Sequence, residues 1–481
     1  MAENETEAAD EIQWKRRLTE SQQTMRRNID KVLDFAEQVA WRDVPETTRD
    51  HVKSLILDSF TVLTAGYRAV GCREVLDVLA QWPAERGSSV LLGALKLPTP
   101  TAAMANAMLA EAWDFDDVHD AAIVHCMSPV LYSALATAEG SRKDVDGNAF
   151  LGAVAVGLEV LARLGMACTS PLTWTRTATL GGLGGALAAT RVLEGNRDRL
   201  INAAGIAYMQ SAGNSQTIVD SATAKKLQVG FAARGAALAS LLAERGLTGP
   251  RDILEGRYGY YQLYEHGQHH LDSALESLGH TWEIDKITVK PFACARETHA
   301  AVFAAFDATR GRRLPLSDID RVVMTGPRIL RDISGKGPIG AGAAAVVSAH
   351  LSIPYTVAVV LLEGDLMLDD FTQTKVLEPV RQGLSERVEV RVDDSLPSND
   401  LAPANIAVHL CDGTILRGSC HELPIGIDST QDATVMEGKR RSCLAMANNE
   451  RASEALSTVS RLLGNAEAQP DFASAVIEAM A

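Results

Sequence analysis

Cysteine is scarce in this chain, which has seven of them among 481 residues. They form no Cys-x-x-Cys pair and no cysteine/histidine spacing typical of a zinc site. A count that is low, odd and scattered argues against a disulfide framework and favours reduced thiols in a cytoplasmic protein. The seven positions are Cys72, Cys126, Cys168, Cys294, Cys411, Cys420 and Cys443.

Basic residues are also fewer than acidic ones, 46 against 61, so the formal net charge is −15 at pH 7. Nucleic-acid binding needs a basic surface, so the composition predicts no nucleic-acid partner. An anionic small substrate is still compatible with this charge, since a local basic pocket can oppose the overall field.

Long uncharged apolar runs are missing as well. The longest apolar stretch, residues 150–168, contains Glu159 and Arg163, which indicates a buried helix rather than a membrane span. The first eleven residues are acidic and polar, unlike the basic and apolar start of a signal peptide. We therefore predict no membrane partner.

The glycine-rich segments lack the spacing of nucleotide-binding loops. Residues 180–186 contain two glycine pairs that do not fit Gly-x-Gly-x-x-Gly, and close helix packing is the preferred interpretation. Residues 334–342 lack the P-loop spacing, and a flexible lid or a plain surface connector explains them equally well.

The apolar periodicity predicts a mostly α fold with a smaller α+β domain. Apolar residues recur at three and four from about residue 25 to 277, and strand-like alternation appears at 282–290, 319–325, 388–392, 405–410 and 414–417. We expect a mobile tail at 1–25, a helical domain at 26–277, an α+β lid domain at 278–424, and C-terminal helices at 425–481 that return to a discontinuous all-helical domain.

Residues 113–125 contain the most informative cluster in the chain. Four carboxylates and two imidazoles fall within thirteen residues, between apolar runs on both sides. A solvated loop with helix-capping aspartates, a metal site and an acid/base site all compete as interpretations. The six side chains are Asp114, Asp116, Asp117, His119, Asp120 and His125.

Two further segments offer cations. Lys225 and Lys226 open an apolar helix, where positive charge opposes the helix dipole unless an anion lies nearby. Lys290, Arg296 and His299 fall on one short strand-to-helix connection, a place that favours anion binding. The alternatives are a solvated lysine pair and a core histidine.

Taken together, these segments resemble the MmgE/PrpD family, whose members include 2-methylcitrate dehydratase, cis-aconitate decarboxylase and iminodisuccinate epimerase. The resemblance runs from about residue 28 to the C-terminus. It rests on residues 56–60, 114–117 with His125, 178–181, 225–230, 290–292 with His299, and 352–357. It implies a large helical domain with a smaller α+β lid, usually in a homodimer, that works without metal or other cofactor.

The resemblance also implies site residues. The catalytic positions match Asp114, His125, Lys225 and Lys290, and we expect Lys226, Arg296, His299, Trp174 and Thr175 to bind the substrate. Three positions depart from the family pattern. Thr175 and Ala295 stand where relatives have histidine, and the lid tyrosine has no counterpart near residues 335–342.

The reactions of the family share a proton that moves at carbon next to a carboxylate. Fixed cations stabilise the resulting charge, and Asp114 and His125 are the predicted acid and base; a lysine made neutral by neighbouring cations is a further candidate base. We expect a dehydratase acting on a small di- or tricarboxylate, with an epimerase or isomerase next and a decarboxylase third. The alternative from another class is a non-catalytic carboxylate-binding protein.

Overall fold

The computed structural model describes residues 28–337, 342–431 and 433–481. The predicted mobile tail at 1–25 and part of the glycine-rich loop, residues 338–341, lie outside this range. The helices described between residues 28 and 276 are α1 (28–38), α2 (Glu46–Gly66), α3 (Cys72–Leu79), α4 (Thr99–Glu111), α5 (Met127–Ser141), α6 (Gly147–Met166), α7 (Arg176–Val192), α8 (Arg197–Tyr208), α9 (Gln216–Val219), α10 (Leu227–Glu244), α11 (Tyr260–Leu263) and α12 (Leu271–Glu276).

The later part of the chain mixes helices with strands. The helices are α13 (His299–Thr309), α14 (Arg328–Ser334), α15 (Ala343–His350), α16 (Ile353–Glu363), α17 (Gln373–Val376), α18 (Pro379–Ser385), α19 (Ile427–Gln431), α20 (Ala433–Ala447), α21 (Glu450–Gly464) and α22 (Phe472–Met480). The strands among the described residues are β1 (Ser88–Ser89), β2 (Lys96–Leu97), β3 (Val118–His119), β4 (Ile287–Thr288), β5 (Ile319–Gly326), β6 (Val388–Val392), β7 (Ala404–Leu410) and β8 (Ile415–Cys420).

Five helices, α4, α5, α6, α7 and α10, pack together at the centre of the helical part. Small residues on α7 make the close approach possible. A Cβ added to Gly184 would lie 2.7 Å from the Gly157 carbonyl oxygen, and one added to Gly185 would lie 2.7 Å from the Pro129 oxygen. The interpretation of residues 180–186 as a helix-packing segment is therefore confirmed.

The apolar helix α6 lies inside this bundle. Among the described helices it is long and apolar enough to cross a membrane, yet 89% of its most apolar window is buried. The pair α15 and α16 meets the same criterion only jointly, and it is bent by 85°. The prediction of a buried helix over residues 150–168 is confirmed.

The main sheet has four strands in the order β6-β5-β7-β8. Strands β5 and β6 are parallel, and the other two pairs are antiparallel. Helices α13 and α16 pack against this sheet. The strands predicted from residue 319 onward are all present, and a turn at Asp412 and Gly413 joins β7 to β8, with Gly413 in the left-handed region (φ 87°).

The strand predicted at 282–290 is mostly wrong. Residues Glu283–Lys286 form a 3-10 turn, and only β4 follows, paired with β3. The Glu159 carboxylate of α6 accepts a hydrogen bond from the Ile284 amide (3.1 Å). This buried contact holds the segment against the helices, so its alternating side chains do not form a sheet edge.

The C-terminal helices return to the helical part. Helices α20 and α21 pack on α2, and α22 packs on α5 and α6. The Lys439 ammonium of α20 lies 2.8 Å from the Asp58 carboxylate of α2. The predicted fold class, mostly α with a smaller α+β part, is confirmed, and two short ladders, β1–β2 and β3–β4, lie outside the main sheet.

Candidate active site

Asp114 lies at the centre of the charged cluster, just after α4 ends. Its backbone is left-handed (φ 52°), a conformation that aspartate adopts more readily than most residues. Its carboxylate accepts hydrogen bonds from the Lys290 ammonium at 2.7 Å and the Lys225 ammonium at 3.2 Å. Lys290 comes from the segment after β4 and Lys225 from the turn before α10, so three distant parts of the chain meet here.

Glu111 is the second carboxylate that contacts Lys225. Its carboxylate lies 2.7 Å from the Lys225 ammonium, and it is buried in the last turn of α4. Two carboxylates therefore face the start of α10. They explain why a lysine is tolerated where the helix dipole opposes positive charge.

Both lysines are ammonium ions. Burial acts to lower the pKa of Lys225 and of Lys290, but neighbouring carboxylates, Asp114 first, outweigh it and raise both pKa values above the ordinary one. Burial likewise acts to raise the pKa of Asp114, and the two lysines hold it well below its usual range. The prediction of a neutral lysine base is wrong, because the nearest charges to each lysine are carboxylates rather than cations.

His125 forms the second acid/base group. Its Nδ1 lies 3.3 Å from an Asp116 carboxylate oxygen and 2.7 Å from the Asp117 carbonyl oxygen. Burial opposes the charged imidazolium, but Asp116 outweighs burial and the pKa of His125 is raised. Its Nε2 has no hydrogen-bond partner among the described residues, so a proton on that atom is available to a ligand.

The remaining acids of the cluster have other tasks. The Asp117 carboxylate accepts hydrogen bonds from the amides of Cys126 and Met127, at 2.9 and 3.1 Å, and thereby caps α5. Asp120 forms a paired salt bridge with Arg296, two contacts of 2.9 Å. Asp114, Asp116 and Asp117 are all buried, so the predicted solvated loop is wrong for them, whereas the prediction of a helix-capping aspartate holds for Asp117.

One cavity collects most of the predicted site residues. The described residues that line it include the four predicted catalytic side chains together with Thr175 and Arg296. Three predicted substrate-binding residues are not among them. Lys226 donates to the Val70 carbonyl, His299 lies buried against Arg296 and Cys294, and Trp174 packs edge-on against Tyr264.

Several polar cavity residues were missed at the sequence level, among them Glu111, Gln228 and Glu297. Glu111 follows an unbroken apolar stretch, and its position three residues before Asp114 was the available signal. Glu297 and Gln228 gave no signal, because an isolated polar residue beside a helix start has many ordinary roles. Both line the cavity in the structure.

A divalent metal fits this donor set poorly. Among the described residues, Asp114, Asp116 and His125 can bring ligand atoms within 4.8 Å of one another. However, two ammonium groups already bind the Asp114 carboxylate, and a third cation beside them would be repelled. The geometry favours an electrostatic acid/base site over a metal site.

The helical core and the α+β part enclose a cavity lined by fixed charges of both signs, which is the arrangement of an acid/base enzyme site. The MmgE/PrpD N-terminal domain model matches residues 30–271 and the MmgE/PrpD C-terminal domain model matches residues 292–463. The chain therefore belongs to the MmgE/PrpD family.

Curated relatives extend over most of the chain. A cis-aconitate decarboxylase of Aspergillus terreus is 26% identical over 427 residues, which covers 82% of this chain and 85% of that protein. The cis-aconitate decarboxylase of Homo sapiens is 27% identical over 381 residues, or 75% of this chain and 76% of that protein. The cis-aconitate decarboxylase-like protein oryM of Aspergillus oryzae is 27% identical over 289 residues, or 57% and 60%.

Proposed function

We propose that the chain is a cofactor-independent lyase that removes a carboxylate as carbon dioxide from a small unsaturated carboxylic acid. The observation that carries the proposal is the pair of buried ammonium groups beside the His125 imidazole, whose pKa is raised by Asp116. Decarboxylation of this kind needs fixed positive charge where negative charge develops, and one acid to protonate the carbanion. It needs no separate base.

The hydrogen-bond inventory supports a carboxylate ligand at the lysines. An ammonium group has three donors. Lys225 uses two of them on Glu111 and Asp114, and Lys290 uses two on the carboxylate and the carbonyl oxygen of Asp114. Each lysine keeps one N–H for a ligand, which together suits the two oxygens of a single carboxylate.

The proposed step balances within the substrate. The bond between a departing carboxylate and an allylic carbon breaks, and its electron pair forms a new carbon–carbon double bond. The original π pair moves to the carbon beside the second carboxylate, whose oxygens share the charge and face Lys225 and Lys290. His125 gives its Nε2 proton to that carbon and regains a proton from solvent.

Dehydration is the second candidate, and it was the first expectation from the sequence. It needs a base for the proton and an acid for the departing hydroxide. Asp114 is a weak base because two lysines lower its pKa. Glu297 is the better candidate, because burial raises its pKa. The names of the curated relatives and the single well-placed acid favour decarboxylation over dehydration and epimerisation.

Nuclear magnetic resonance of the purified protein in D₂O tests the proposal. Unsaturated di- and tricarboxylates, cis-aconitate among them, and the corresponding hydroxy acids are incubated with wild type, Lys225→Met and Lys226→Met. We expect carbon dioxide release with one deuterium in the product, lost in Lys225→Met and kept in Lys226→Met, whose parent lysine does not line the cavity. An alkene formed from a hydroxy acid without carbon dioxide would establish dehydration instead.

We further propose that the ligand is a small carboxylate, that the protein assembles as a homodimer and that it is located in the cytoplasm. We also propose the division at residues 277 and 424. Size-exclusion chromatography with light scattering tests the assembly, and limited proteolysis tests the division.

A further inference from the structure

The lining of the cavity combines charged and apolar side chains. The charged ones include the two lysines, Asp114 and His125. The apolar ones, here called the apolar wall, come from β3 and the loop after it, from the segment before α7, from α9, from α14 and from the segment before β7. They are Val118, Ile123, Leu172, Ile218, Ile329 and Leu401. Apolar walls gain free energy by excluding water from an alkyl group, whereas they penalise an ionised carboxylate.

The charged groups that line the cavity are already balanced. Among the described lining residues, each cation has a carboxylate within 3.3 Å; the pairs are Lys225 with Glu111, Lys290 with Asp114, Arg296 with Asp120, Arg176 with Glu265, and His125 with Asp116. The lining therefore has no excess of positive charge to neutralise several carboxylates of a ligand. The unused lysine donors suit one carboxylate, and the Arg176 Nη1 group, which has no hydrogen-bond partner among the described residues, can take a second.

Glu297 further restricts which ligand groups the cavity can accept. Its carboxyl lines the cavity, and among the described residues it has no side-chain partner. When ionised it repels a nearby ligand carboxylate. The neutral Thr175 also lines the cavity, and its hydroxyl oxygen is buried without a partner, so it suits a neutral polar group better than an anion.

We infer that the substrate carries an apolar substituent in the position where cis-aconitate carries its central carboxylate. The substrate class is a 3-alkylated pent-2-enedioate, a dicarboxylate rather than a tricarboxylate. One carboxylate binds Lys225 and Lys290, and the alkyl group packs on the apolar wall.

This inference rests on the proposed decarboxylation, and the reaction balances in the same way. The carboxylate on the saturated arm leaves as carbon dioxide, the double bond shifts toward that arm, and His125 protonates the carbon beside the carboxylate held by the lysines. The central substituent takes no part in the bond changes. Its chemistry therefore affects binding and not the course of the reaction.

A substrate series with one variable position tests the inference. Wild-type protein is assayed for carbon dioxide release from cis-aconitate and from the 3-methyl and 3-pentyl pent-2-enedioates of the same double-bond geometry. Because each buried methylene contributes to discrimination, we expect kcat/KM to rise along the alkyl series. For the pentyl compound it should exceed the value for cis-aconitate by at least about 10-fold.

The outcomes separate the inference from the proposed function. If cis-aconitate is used as well as the pentyl compound or better, the inference is overturned and the proposed function stands. If no member of the series releases carbon dioxide or exchanges a proton for deuterium, both are overturned.

Two neighbouring residues of α9 provide a matched pair of variants. Ile218 lines the cavity, whereas Val219 is 68% exposed on the same short helix. Ile218→Lys should shift the ratio of kcat/KM values toward cis-aconitate by at least about 10-fold, because it places a cation in the apolar wall. Val219→Lys should leave the ratio unchanged. An unchanged ratio in Ile218→Lys would mean that the wall does not select the substrate.

Discussion

Two clusters of buried charged side chains, one around Arg163 and one around Lys225 and Lys290, differ in how many of their hydrogen-bond donors are used. Arg163 of α6 donates from Nε to Glu159 at 2.6 Å, and its other nitrogens donate to the carbonyl oxygens of Ala274, Ser277 and Thr281. The Lys225 and Lys290 ammonium groups each have one donor left. A buried charge with every donor used fixes the chain, whereas one with a donor to spare can bind a ligand.

The largest expected effect is a loss of activity, and it concerns the cluster around Lys225 and Lys290. Lys225→Met and Lys290→Met should each lower kcat about 10²–10³-fold, because a preorganised cation is missing where charge develops. Circular dichroism should show a retained helical fold, although Lys290→Met also removes a buried partner of Asp114 and should lower the free energy of unfolding. Steady-state kinetics on a substrate found by the screen above checks this, and a loss confined to KM would assign the lysines to ground-state binding alone.

Arg163→Met should lower stability without lowering kcat. Removing one partner of a buried ion pair costs about 3–5 kcal/mol, since Glu159 is left charged and buried. We expect a clear drop in the free energy of unfolding and an unchanged kcat for the protein that remains folded. Urea titration followed by kinetics at low temperature measures both; a selective loss of kcat would show that the Arg163 group also serves the reaction.

The pH profile provides a finer comparison. Because the folded pKa of His125 is raised, its proton-donating form is lost as pH rises through that raised value, and activity should fall on the alkaline side. The same pair contributes stability that is complete below pH 6.5 and disappears as pH rises through the folded pKa. Asp116→Asn should move the alkaline limb to lower pH. Rates measured from pH 5 to 10 with both proteins check this, and coincident limbs would contradict it.

The smallest effect concerns Asp117. Burial and the charge of Asp116 raise the pKa of this carboxyl to about 7, a value expected of an acid/base group. Its hydrogen bonds to the Cys126 and Met127 amides indicate a cap instead. Asp117→Asn should lower the free energy of unfolding by at most about 2 kcal/mol and leave kcat within a few-fold of the wild-type value. Thermal unfolding and steady-state kinetics measure the two effects, and a large loss of kcat would assign Asp117 to the reaction.

The sequence predicts much of this architecture because local periodicity decides it. The helices of the bundle and strands β5 to β8 all carry apolar residues at the spacing of their element. The strand expected at 282–290 fails for a physical reason, since Glu159, more than a hundred residues earlier, captures the Ile284 amide. Alternation in a sequence does not reveal which neighbour satisfies the backbone.

The site is predictable in its members and less so in their orientation. Asp114, Lys225 and Lys290 were identified from residue type and family resemblance, and the structure brings them together. Lys225 and Lys226 are adjacent, and the sequence does not tell which one faces the cavity; the helix start turns Lys226 toward the Val70 carbonyl. Glu297 could be recognised only once the cavity wall was defined.

The cavity wall joins segments that are far apart in the chain, from α4 and α10 on one side to α14 and residues 399–401 on the other. A ligand that touches both sides acts as a removable cross-link. It stabilises the folded protein by about 2.7 kcal/mol when its concentration is 100 times its Kd. The melting temperature therefore reports occupancy, and a thermal-shift screen of carboxylic acids can find the natural ligand before any reaction has been observed.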